Sequence, residues 1–345
     1  MFNRIAIMGA GALGTILGAY ISQTRQIDLI NRNKKHVEAL NKNGAQLRGF
    51  DDITVPVTAV TIDEMEGTYD LFLYFAKQTA NAVALPIMKK HSHENTYICT
   101  GQNGLPEDAI VEYFNPDRVF GAPAGWGGVM LEPGVISVHN PKDKRKFALG
   151  SYNGKITPEL LEAKEILELF CPVELTENLS GYRWAKLTRN ATFSGMSTVM
   201  SRTFGEIAAD PRGIRCVARI GRECMKAAKT SGVTIELFDP KDYSGKYNYS
   251  TPEEEDELVA IIQENLKESK AQASMLNDLR RGYTNVEIDE INGVICQAGR
   301  KHGIPTPYND MVVEIVKGIC EGKLPLDYSN IDKFDALLNA GLPEI

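Results

Sequence analysis

The sequence predicts an α/β fold with two domains: an open, doubly wound, mostly parallel sheet in residues 1–178, followed by an all-α domain in residues 179–345. Three observations predict this fold. Strand-length apolar runs alternate with helical patterns in the first half of the chain. A glycine-rich turn joins the first strand to the first helix. Beyond about residue 178, nearly every segment has helical periodicity.

Composition argues against several classes of protein. The formal charge of -7 and the pI near 5.4 argue against a nucleic-acid binder. The six cysteines have neither the spacing of a zinc site nor that of a redox pair, so we expect reduced thiols and no metal. No apolar run approaches the length of a membrane span, and the chain opens directly into its first strand. We therefore expect a cytoplasmic protein without a leader or a membrane anchor.

The first strand, from Arg4 to Met8, leads into the pattern Gly-x-Gly-x-x-Gly and then into a helix. In such a turn Gly9 permits the tight bend, Gly11 lets backbone N–H groups approach a pyrophosphate, and Gly14 lets the helix pack on its strand. The helix N-terminus adds unpaired donors for phosphate. This context predicts a Rossmann-type dinucleotide site, with a purely structural turn as the alternative. The predicted site residues are Gly9, Ala10, Gly11, Ala12, Leu13 and Gly14.

The end of the second predicted strand indicates which dinucleotide binds. An acidic residue at this position usually binds the ribose 2′-hydroxyl of NAD. This chain instead has Asn31, followed by the cations Arg32, Lys34 and Lys35. The cations suit the 2′-phosphate of NADP, and Arg32 is the candidate for the phosphate contact because its planar guanidinium matches phosphate oxygens. The exposed start of a helix is the alternative.

Three further candidate positions follow predicted strands. The continuous apolar run from Tyr69 to Ala76 is typical of a central parallel strand, which places Lys77 at the ligand-binding edge of the sheet. After the next strand, Asn103 is a candidate contact of nicotinamide or substrate, or part of an Asn-Gly turn. Residues 119–150 are predicted to add antiparallel strands to the sheet, and Gly128, at a turn among them, is included in the cofactor site.

The helical half contains two positions with chemical potential. We expect helices at 181–200, 211–231, 253–281, 286–302 and 308–321. Lys186, Asn190 and Ser194 are spaced i, i+4 and i+8, so they share one face of the first helix, with a solvated polar stripe as the alternative. Glu287 ends the pattern Thr-x-x-Glu, which locally predicts a capping box.

In combination, these segments resemble the ketopantoate reductases (2-dehydropantoate 2-reductases) over nearly the whole chain and in the family's order. One segment alone is unspecific, but seven in sequence favour functional roles for Lys186 and Glu287 over the local alternatives. The seven segments are residues 9–14, Lys77, Gln102–Leu105, Trp184–Leu187 with Asn190, Ser274–Asp278, Glu287–Asp289 with Ile291–Gly293, and His302–Pro307.

The resemblance implies that NADPH reduces a 2-oxo acid to a 2-hydroxy acid in a cleft between a Rossmann domain and a helical domain. The implied substrate is ketopantoate, from pantothenate biosynthesis, and a homodimer is also implied. On the family's pattern Lys186 is the general acid, Glu287 lies beside Lys186 and the cofactor, and Lys77 contacts the cofactor or orients the substrate. The residues implied to bind substrate are Asn103, Lys186, Asn190, Ser194 and Ser274.

The chain departs from the family's pattern around the predicted substrate pocket. Ser194 stands where the family usually has a second asparagine, and Phe204 stands where a polar residue is common. The segment Leu237 to Glu257 is longer than expected. These departures leave two alternatives to ketopantoate reduction: a reductase of a bulkier or less polar 2-oxo acid, and a dinucleotide-binding redox sensor without catalysis.

Overall fold

The computed structural model describes residues 1–237 and 244–342. Its chain forms two compact units, Met1–Leu179 and Ser180–Ile345. Residues 238–243 of the long Leu237 to Glu257 segment, and the last three residues of the tail, lie outside the described residues. Within the two described ranges, no helix has the combination of length and apolar character that a membrane crossing requires.

The first unit is built on two sheets. Its strands are β1 (Ile5–Met8), β2 (Ile27–Ile30), β3 (Ala45–Gly49), β4 (Ile53–Val55), β5 (Thr58–Val60), β6 (Tyr69–Tyr74), β7 (Ser92–Thr100), β8 (Val119–Gly121), β9 (Gly128–Glu132), β10 (Val135–Val138), β11 (Phe147–Ser151) and β12 (Val173–Leu175). Eight strands form the large sheet in the order β12-β11-β8-β7-β6-β1-β2-β5. Neighbours in it are parallel except for the pair β8 and β11.

Both faces of the large sheet are covered. Along β1, Ile5 and Ile7 belong to one buried apolar cluster, whereas Ala6 and Met8 belong to another. Because successive side chains of a strand point to opposite faces, two separate clusters mean that apolar side chains are buried on each side. The helices of this unit are α1 (Ala12–Ile21), α2 (Lys34–Asn43), α3 (Asn81–Lys90), α4 (Pro106–Ile110) and α5 (Pro158–Glu168). The predicted α/β class, with its doubly wound parallel sheet, is confirmed.

The prediction for residues 119–150 is wrong in detail. Instead of completing one sheet, β9 and β10 leave it and form a second sheet with β3 and β4, in the order β4-β3-β10-β9. Only β11 adds to the large sheet as an antiparallel strand, next to β8. Apolar patterning predicts strands but does not specify partners, because pairing depends on which edge lies nearby in the folded chain.

The second unit is helical, as predicted. Its helices are α6 (Leu179–Arg189), α7 (Gly195–Met200), α8 (Phe204–Ala209), α9 (Pro211–Thr230), α10 (Pro252–Leu266), α11 (Ser274–Arg280), α12 (Asn292–His302), α13 (Pro307–Cys320) and α14 (Asp335–Asn339). A π-helical turn at Asn190–Ser194 joins α6 to α7, so the predicted helix over 181–200 is continuous but not regular.

Two predicted helices need correction. The helix expected over 253–281 is two helices, α10 and α11, separated by residues 267–273. Thr251 and Glu254 form the capping box at the start of α10, so the acidic residues Glu253, Glu254 and Glu255 lie in the first turn of that helix. The helix expected over 286–302 begins only at Asn292, and the capping box predicted for Glu287 is absent because residues 284–291 are not helical.

The described part of the C-terminal tail packs on its own unit. The Phe334 ring is fully buried and stacks on the Tyr308 ring, with the two centroids 6.1 Å apart. Arg219 Nη1 donates to the carbonyl oxygen of Gly341 at 2.8 Å. The short helix α14 is thereby attached to α9 and α13.

Candidate functional site

The glycine turn after β1 has the geometry that a dinucleotide loop requires. Gly9 has φ +94°, and a Cβ there would lie 2.2 Å from the backbone nitrogen of Ala76, so only glycine fits. A Cβ on Gly14 would lie 2.5 Å from the carbonyl oxygen of Gly9, which explains the close packing of α1 on β1. A Cβ on Gly11, in contrast, would have no neighbour within 4 Å. Packing therefore explains the first and third glycines but not Gly11.

The open side of Gly11 fits a pyrophosphate. This residue is the N-cap of α1, and no side chain of the described residues caps the helix there. Uncapped N–H groups and the positive end of the helix dipole are the features that bind phosphate at helix N-termini. A dinucleotide would be held here by the backbone of Gly11, Ala12 and Leu13, the last two of which are half-buried.

The segment after β2 is joined to the glycine turn. Asn31 Nδ2 donates to the carbonyl oxygen of Ala10 at 2.7 Å, so an amide occupies the position of the usual NAD-binding acid. His36, which is fully buried, accepts from the Gly134 N–H through Nδ1 and contacts the Ala10 carbonyl through Nε2 at 3.0 Å. Burial lowers the pKa of His36, which keeps the ring neutral. Arg32 is exposed beside this junction, immediately before α2.

The loops after β6 and β7 are connected to each other by two glutamines, Gln78 and Gln102, neither of which was predicted to be a site residue. Gln78 Nε2 donates to the carbonyl oxygen of Asn103 at 2.6 Å, and Gln102 Nε2 donates to that of Ala76 at 2.8 Å. Lys77, next to Gln78, is exposed. These contacts place Lys77 and Asn103 on adjoining loops at the carboxyl edge of the parallel sheet. The sequence signal for Gln78 is its position after a strand, whereas Gln102 also begins the segment Gln102–Leu105 that resembles the family.

Gly128 has a packing role that accounts for it without a cofactor. A Cβ there would lie 2.6 Å from Cδ1 of Ile16 on α1 and 2.8 Å from the carbonyl oxygen of Ser137 on β10. The glycine therefore lets the small sheet approach α1. Its proposed contact with the cofactor gains no support from this environment.

In the helical unit, the three polar residues predicted to share a face, which we call the polar stripe, lie in an otherwise largely buried segment. From Gly181 to Phe193 every residue is buried except Lys186, Arg189 and Asn190. Lys186, Asn190 and Ser194 are half-buried, and Arg189 is exposed. The π turn includes Asn190 and Ser194, and single π turns within α-helices are frequent at functional sites. The polar stripe is therefore a partly accessible row of polar groups on a largely buried helix. The polar groups of a freely solvated helix face would instead be exposed.

Lys186 has a strongly shifted pKa. Burial is the largest cause of the shift, the neighbouring charges of Arg183 and Arg189 add to it, and Glu287 partly opposes it; the result is a pKa lowered from 10.5 to about 7. Glu287 is itself 7% exposed and precedes α12. The structure thus brings together the lysine and the glutamate whose local sequence patterns predicted only a solvated stripe and a helix cap.

Two other predicted positions lie on neighbouring segments of the same unit. Ser274 is exposed at the start of α11, and the preceding Ala273 N–H donates to Ser197 Oγ of α7 at 3.1 Å. Phe204 begins α8, is half-buried, and contacts the Phe193 ring at 5.4 Å between centroids. One ring of this aromatic pair, Phe193, therefore belongs to the residue that precedes Ser194 in the chain. In the described residues, no group of three or more His, Cys, Asp or Glu side chains is arranged to hold a metal ion.

Comparison with known proteins gives concordant results. The family model described as "Ketopantoate reductase PanE/ApbA" matches residues 5–154, and its C-terminal counterpart matches residues 178–320. The 2-dehydropantoate 2-reductase of Pyrococcus horikoshii is 27% identical over 321 residues, which cover 91% of this chain and 96% of that protein.

Solved structures show the same fold. A D-mandelate dehydrogenase in a ternary structure with NADH and anilino(oxo)acetate has a TM-score of 0.78 at 22% identity, covering 93% of this chain and 99% of that one. A PanE/ApbA family ketopantoate reductase from Ralstonia eutropha JMP134 has a TM-score of 0.77 at 24% identity, with the same coverage. Because both halves of the family's sequence match in order and the glycine turn has the required geometry, the chain belongs to the ketopantoate reductase family of dinucleotide-binding oxidoreductases.

Proposed function

We propose that this protein is an NADPH-dependent reductase that converts a 2-oxo acid to a 2-hydroxy acid, with ketopantoate as the first candidate substrate. The observation that carries the proposal is Lys186, half-buried on the polar stripe and with a pKa lowered to about 7. A general acid works best when its pKa lies near the working pH, because it is then both protonated and able to give up its proton. An exposed lysine would hold its proton too tightly.

Each residue of the candidate site has a distinct role in the proposed reaction. NADPH, when bound, supplies the hydride that reduces the carbonyl carbon of the substrate. Lys186 holds a proton on Nζ and transfers it to the carbonyl oxygen as negative charge develops there. Asn190 and Ser194, on the same stripe, offer neutral hydrogen bonds to the carboxylate and hydroxyl groups of the substrate, with Asn103 and Ser274 as further candidates. Glu287 sets the electrostatic environment of Lys186.

Arg32 supports the preference for NADPH over NADH. The position that usually bears the NAD-binding acid is Asn31, whose amide is engaged with the glycine turn, and the exposed cation Arg32 follows it. A 2′-phosphate at the end of β2 would be attracted by the guanidinium of Arg32 and would not be repelled by a carboxylate at position 31. Lys77 remains a candidate for contact with the cofactor or substrate at the end of β6.

The test is NADPH oxidation measured across a panel of 2-oxo acids, with Lys186→Ala beside the wild type. We expect the substitution to lower turnover by about two to four orders of magnitude while NADPH affinity and the folded state are retained. Lys226→Ala, which removes another half-buried lysine of the helical unit, is the matched control and should keep normal turnover. Normal turnover in Lys186→Ala would disprove the general-acid role. A wild type that binds NADPH and reduces no 2-oxo acid would support the redox-sensor alternative.

One observation favours a second substrate class. The ring of Phe193, which precedes Ser194 in the chain, contacts the ring of Phe204, a residue that stands where the family's pattern commonly has a polar side chain. Apolar rings there would suit a 2-oxo acid with a bulkier or less polar substituent than ketopantoate. If ketopantoate is the substrate, the reaction belongs to pantothenate biosynthesis in the cytoplasm. A homodimer remains part of the proposal, and light scattering of the purified protein tests it.

A further inference from the structure

A chain of buried hydrogen bonds leads from the interior of the helical unit to the π turn. Glu223 on α9 is fully buried and accepts three hydrogen bonds, from the backbone N–H groups of Tyr308 and Asn309 at 2.9 Å and from Asn309 Nδ2 at 2.7 Å. Asn309 Oδ1 accepts from Asn292 Nδ2 at 2.9 Å. Asn292 Nδ2 also donates to the carbonyl oxygen of Ala191 at 3.0 Å. The chain thus links three helices to the middle of the turn.

The carbonyl groups around the π turn take hydrogen bonds from side chains as well as from the backbone. A π turn replaces i→i+4 bonding with i→i+5 bonding over one turn, and a side chain that inserts into the ladder is one identified cause of such an irregularity. The single hydroxyl hydrogen of Thr192 is shared between the carbonyl oxygens of Thr188 at 2.8 Å and Arg189 at 3.0 Å. Asn292 Nδ2 donates to a third carbonyl oxygen, that of Ala191, from a helix 101 residues further along the chain. Thr192 is local to the turn, whereas Asn292 attaches the turn to the rest of the unit.

The side chain of Asn292 acts as a hydrogen-bond donor and not as an acceptor among the described residues. Its side chain is fully buried, and its Oδ1 atom has no hydrogen-bond partner among the described residues. A buried acceptor without a partner is unfavourable, so the favourable contribution of this amide comes from the hydrogen bonds that its Nδ2 donates. The next residue after the turn is Gly195, where a Cβ would lie 3.0 Å from Asn292 Oδ1. The helix that carries the stripe is therefore fitted closely around this one side chain.

The turn controls how the stripe is aligned. In a regular α-helix, eight residues advance by about 800°, so Ser194 would stand roughly 80° out of line with Lys186. A π turn advances less per residue than an α-helix, and this reduces the difference. With the π turn present, Lys186, Asn190 and Ser194 are the half-buried polar members of one stripe.

We propose that Asn292 is a positioning residue for substrate binding: by holding the Ala191 carbonyl it fixes the π turn, and the π turn aligns Asn190 and Ser194 with Lys186. This inference rests on the proposed function, because it assigns the stripe to the 2-oxo acid. Glu223 and Asn309 orient the amide of Asn292 through the hydrogen bonds described above. None of the three residues contacts the reacting atoms in this scheme.

The experiment compares Asn292→Leu with Asn330→Leu. Asn330 is another buried asparagine of the helical unit, and its Nδ2 donates to the carbonyl oxygens of Val199, Pro325 and Asp327, away from the π turn. Both variants lose a buried donor, so both should melt at a lower temperature. Only Asn292→Leu should raise the KM for the 2-oxo acid, by about tenfold to a hundredfold, with the Kd for NADPH unchanged. An equal rise in KM in both variants would overturn the proposal.

A crystal structure of Asn292→Leu provides a second readout that needs no substrate. We expect residues 190–194 to change from π to α hydrogen bonding, and a retained π turn would refute the role of Asn292 even if KM changed. Should the leucine variant not fold, Asn292→Ala removes the same donor without added bulk and is measured identically. If the wild type reduces no 2-oxo acid, the proposed function has failed, whereas the structural result still decides whether Asn292 holds the turn.

Discussion

Glu287 raises the pKa of Lys186 and so opposes the burial and the two arginines, Arg183 and Arg189, that lower this pKa to about 7. The folded-state pKa thus lies below the ordinary value of 10.5. Between these two pH values the unfolded chain binds more protons than the folded chain at this site, so the contribution of Lys186 to stability increases as the pH rises through that window. Protonated Lys186 at neutral pH is therefore destabilising to the fold, which is consistent with the proposed role in proton transfer.

The rate of reduction should fall as the pH rises above about 7, because Lys186 then loses the proton that it must donate. Arg189→Gln should move this decline to higher pH, since the Arg189 charge lowers the pKa of Lys186. Because Arg189 is exposed, the movement should be roughly half a pH unit. The measurement is kcat/KM against pH for wild type and variant. A decline that moves to lower pH would contradict the assignment.

Glu287→Gln should move the same decline in the opposite direction. The Glu287 charge favours the protonated form of Lys186, so a neutral glutamine at this position should lower the pKa of Lys186 further. The rate of reduction should then begin to fall at a pH below 7. The substitution keeps the size of the side chain at a position that is 7% exposed, which limits disturbance of packing. Glu314→Gln, at an exposed position of α13, serves as the control and should leave the pH profile unchanged. Identical profiles for Glu287→Gln and wild type would show that Lys186 is not the titrating group.

Two glycines of the same loop should respond differently to alanine. Gly14→Ala places a Cβ 2.5 Å from the Gly9 carbonyl oxygen and should destabilise the fold by roughly 1–3 kcal/mol. Gly11→Ala meets no atom within 4 Å, so the protein should fold normally and lose NADPH affinity by about tenfold or more, which is ~1.4 kcal/mol. Thermal melting and cofactor titration separate the two effects. Unchanged NADPH affinity in Gly11→Ala would show that the pyrophosphate does not bind at this loop.

The glycine turn and the parallel strands could be predicted because their signals are local. The Gly-x-Gly-x-x-Gly spacing specifies a backbone path over six residues, and the continuous apolar run that became β6 specifies a strand buried on both faces. The small sheet could not be predicted, because β3 and β10 pair across about ninety residues of chain and apolar patterning carries no partner information.

The candidate site was predicted in part for the same reason. The i, i+4, i+8 spacing indicated the polar stripe, but the π turn within it depends on Asn292, a donor 101 residues from Ala191. The local pattern at Glu287 indicated a capping box, yet the helix begins at Asn292 and leaves Glu287 near Lys186. Burial, which dominates the shifted pKa of Lys186, is a property of the folded chain and has no counterpart in a sequence motif.

Arg32→Ala should reduce the preference for NADPH over NADH by about ten- to a hundredfold, the value of a charge-assisted hydrogen bond to phosphate. The matched control is Lys42→Ala, which removes an exposed cation at the far end of the same helix, α2, and should leave the preference unchanged. The measurement is kcat/KM for each cofactor at fixed ionic strength. An unchanged ratio in Arg32→Ala would mean that another group, or none, recognises the 2′-phosphate.

Phe204→Asn tests which 2-oxo acid the pocket accepts. The Phe204 ring contacts Phe193 at 5.4 Å beside Ser194, and asparagine would replace an apolar surface with an amide that can hydrogen-bond a hydroxyl group. If the ring contacts the substrate, the variant should gain kcat/KM for the hydroxyl-bearing ketopantoate relative to a phenyl-substituted 2-oxo acid, by about tenfold. Leu266→Asn, a half-buried apolar position at the end of α10, controls for a general loss of packing. Proportional loss on both substrates would place Phe204 outside the pocket, because a purely structural defect lowers both rates without changing their ratio.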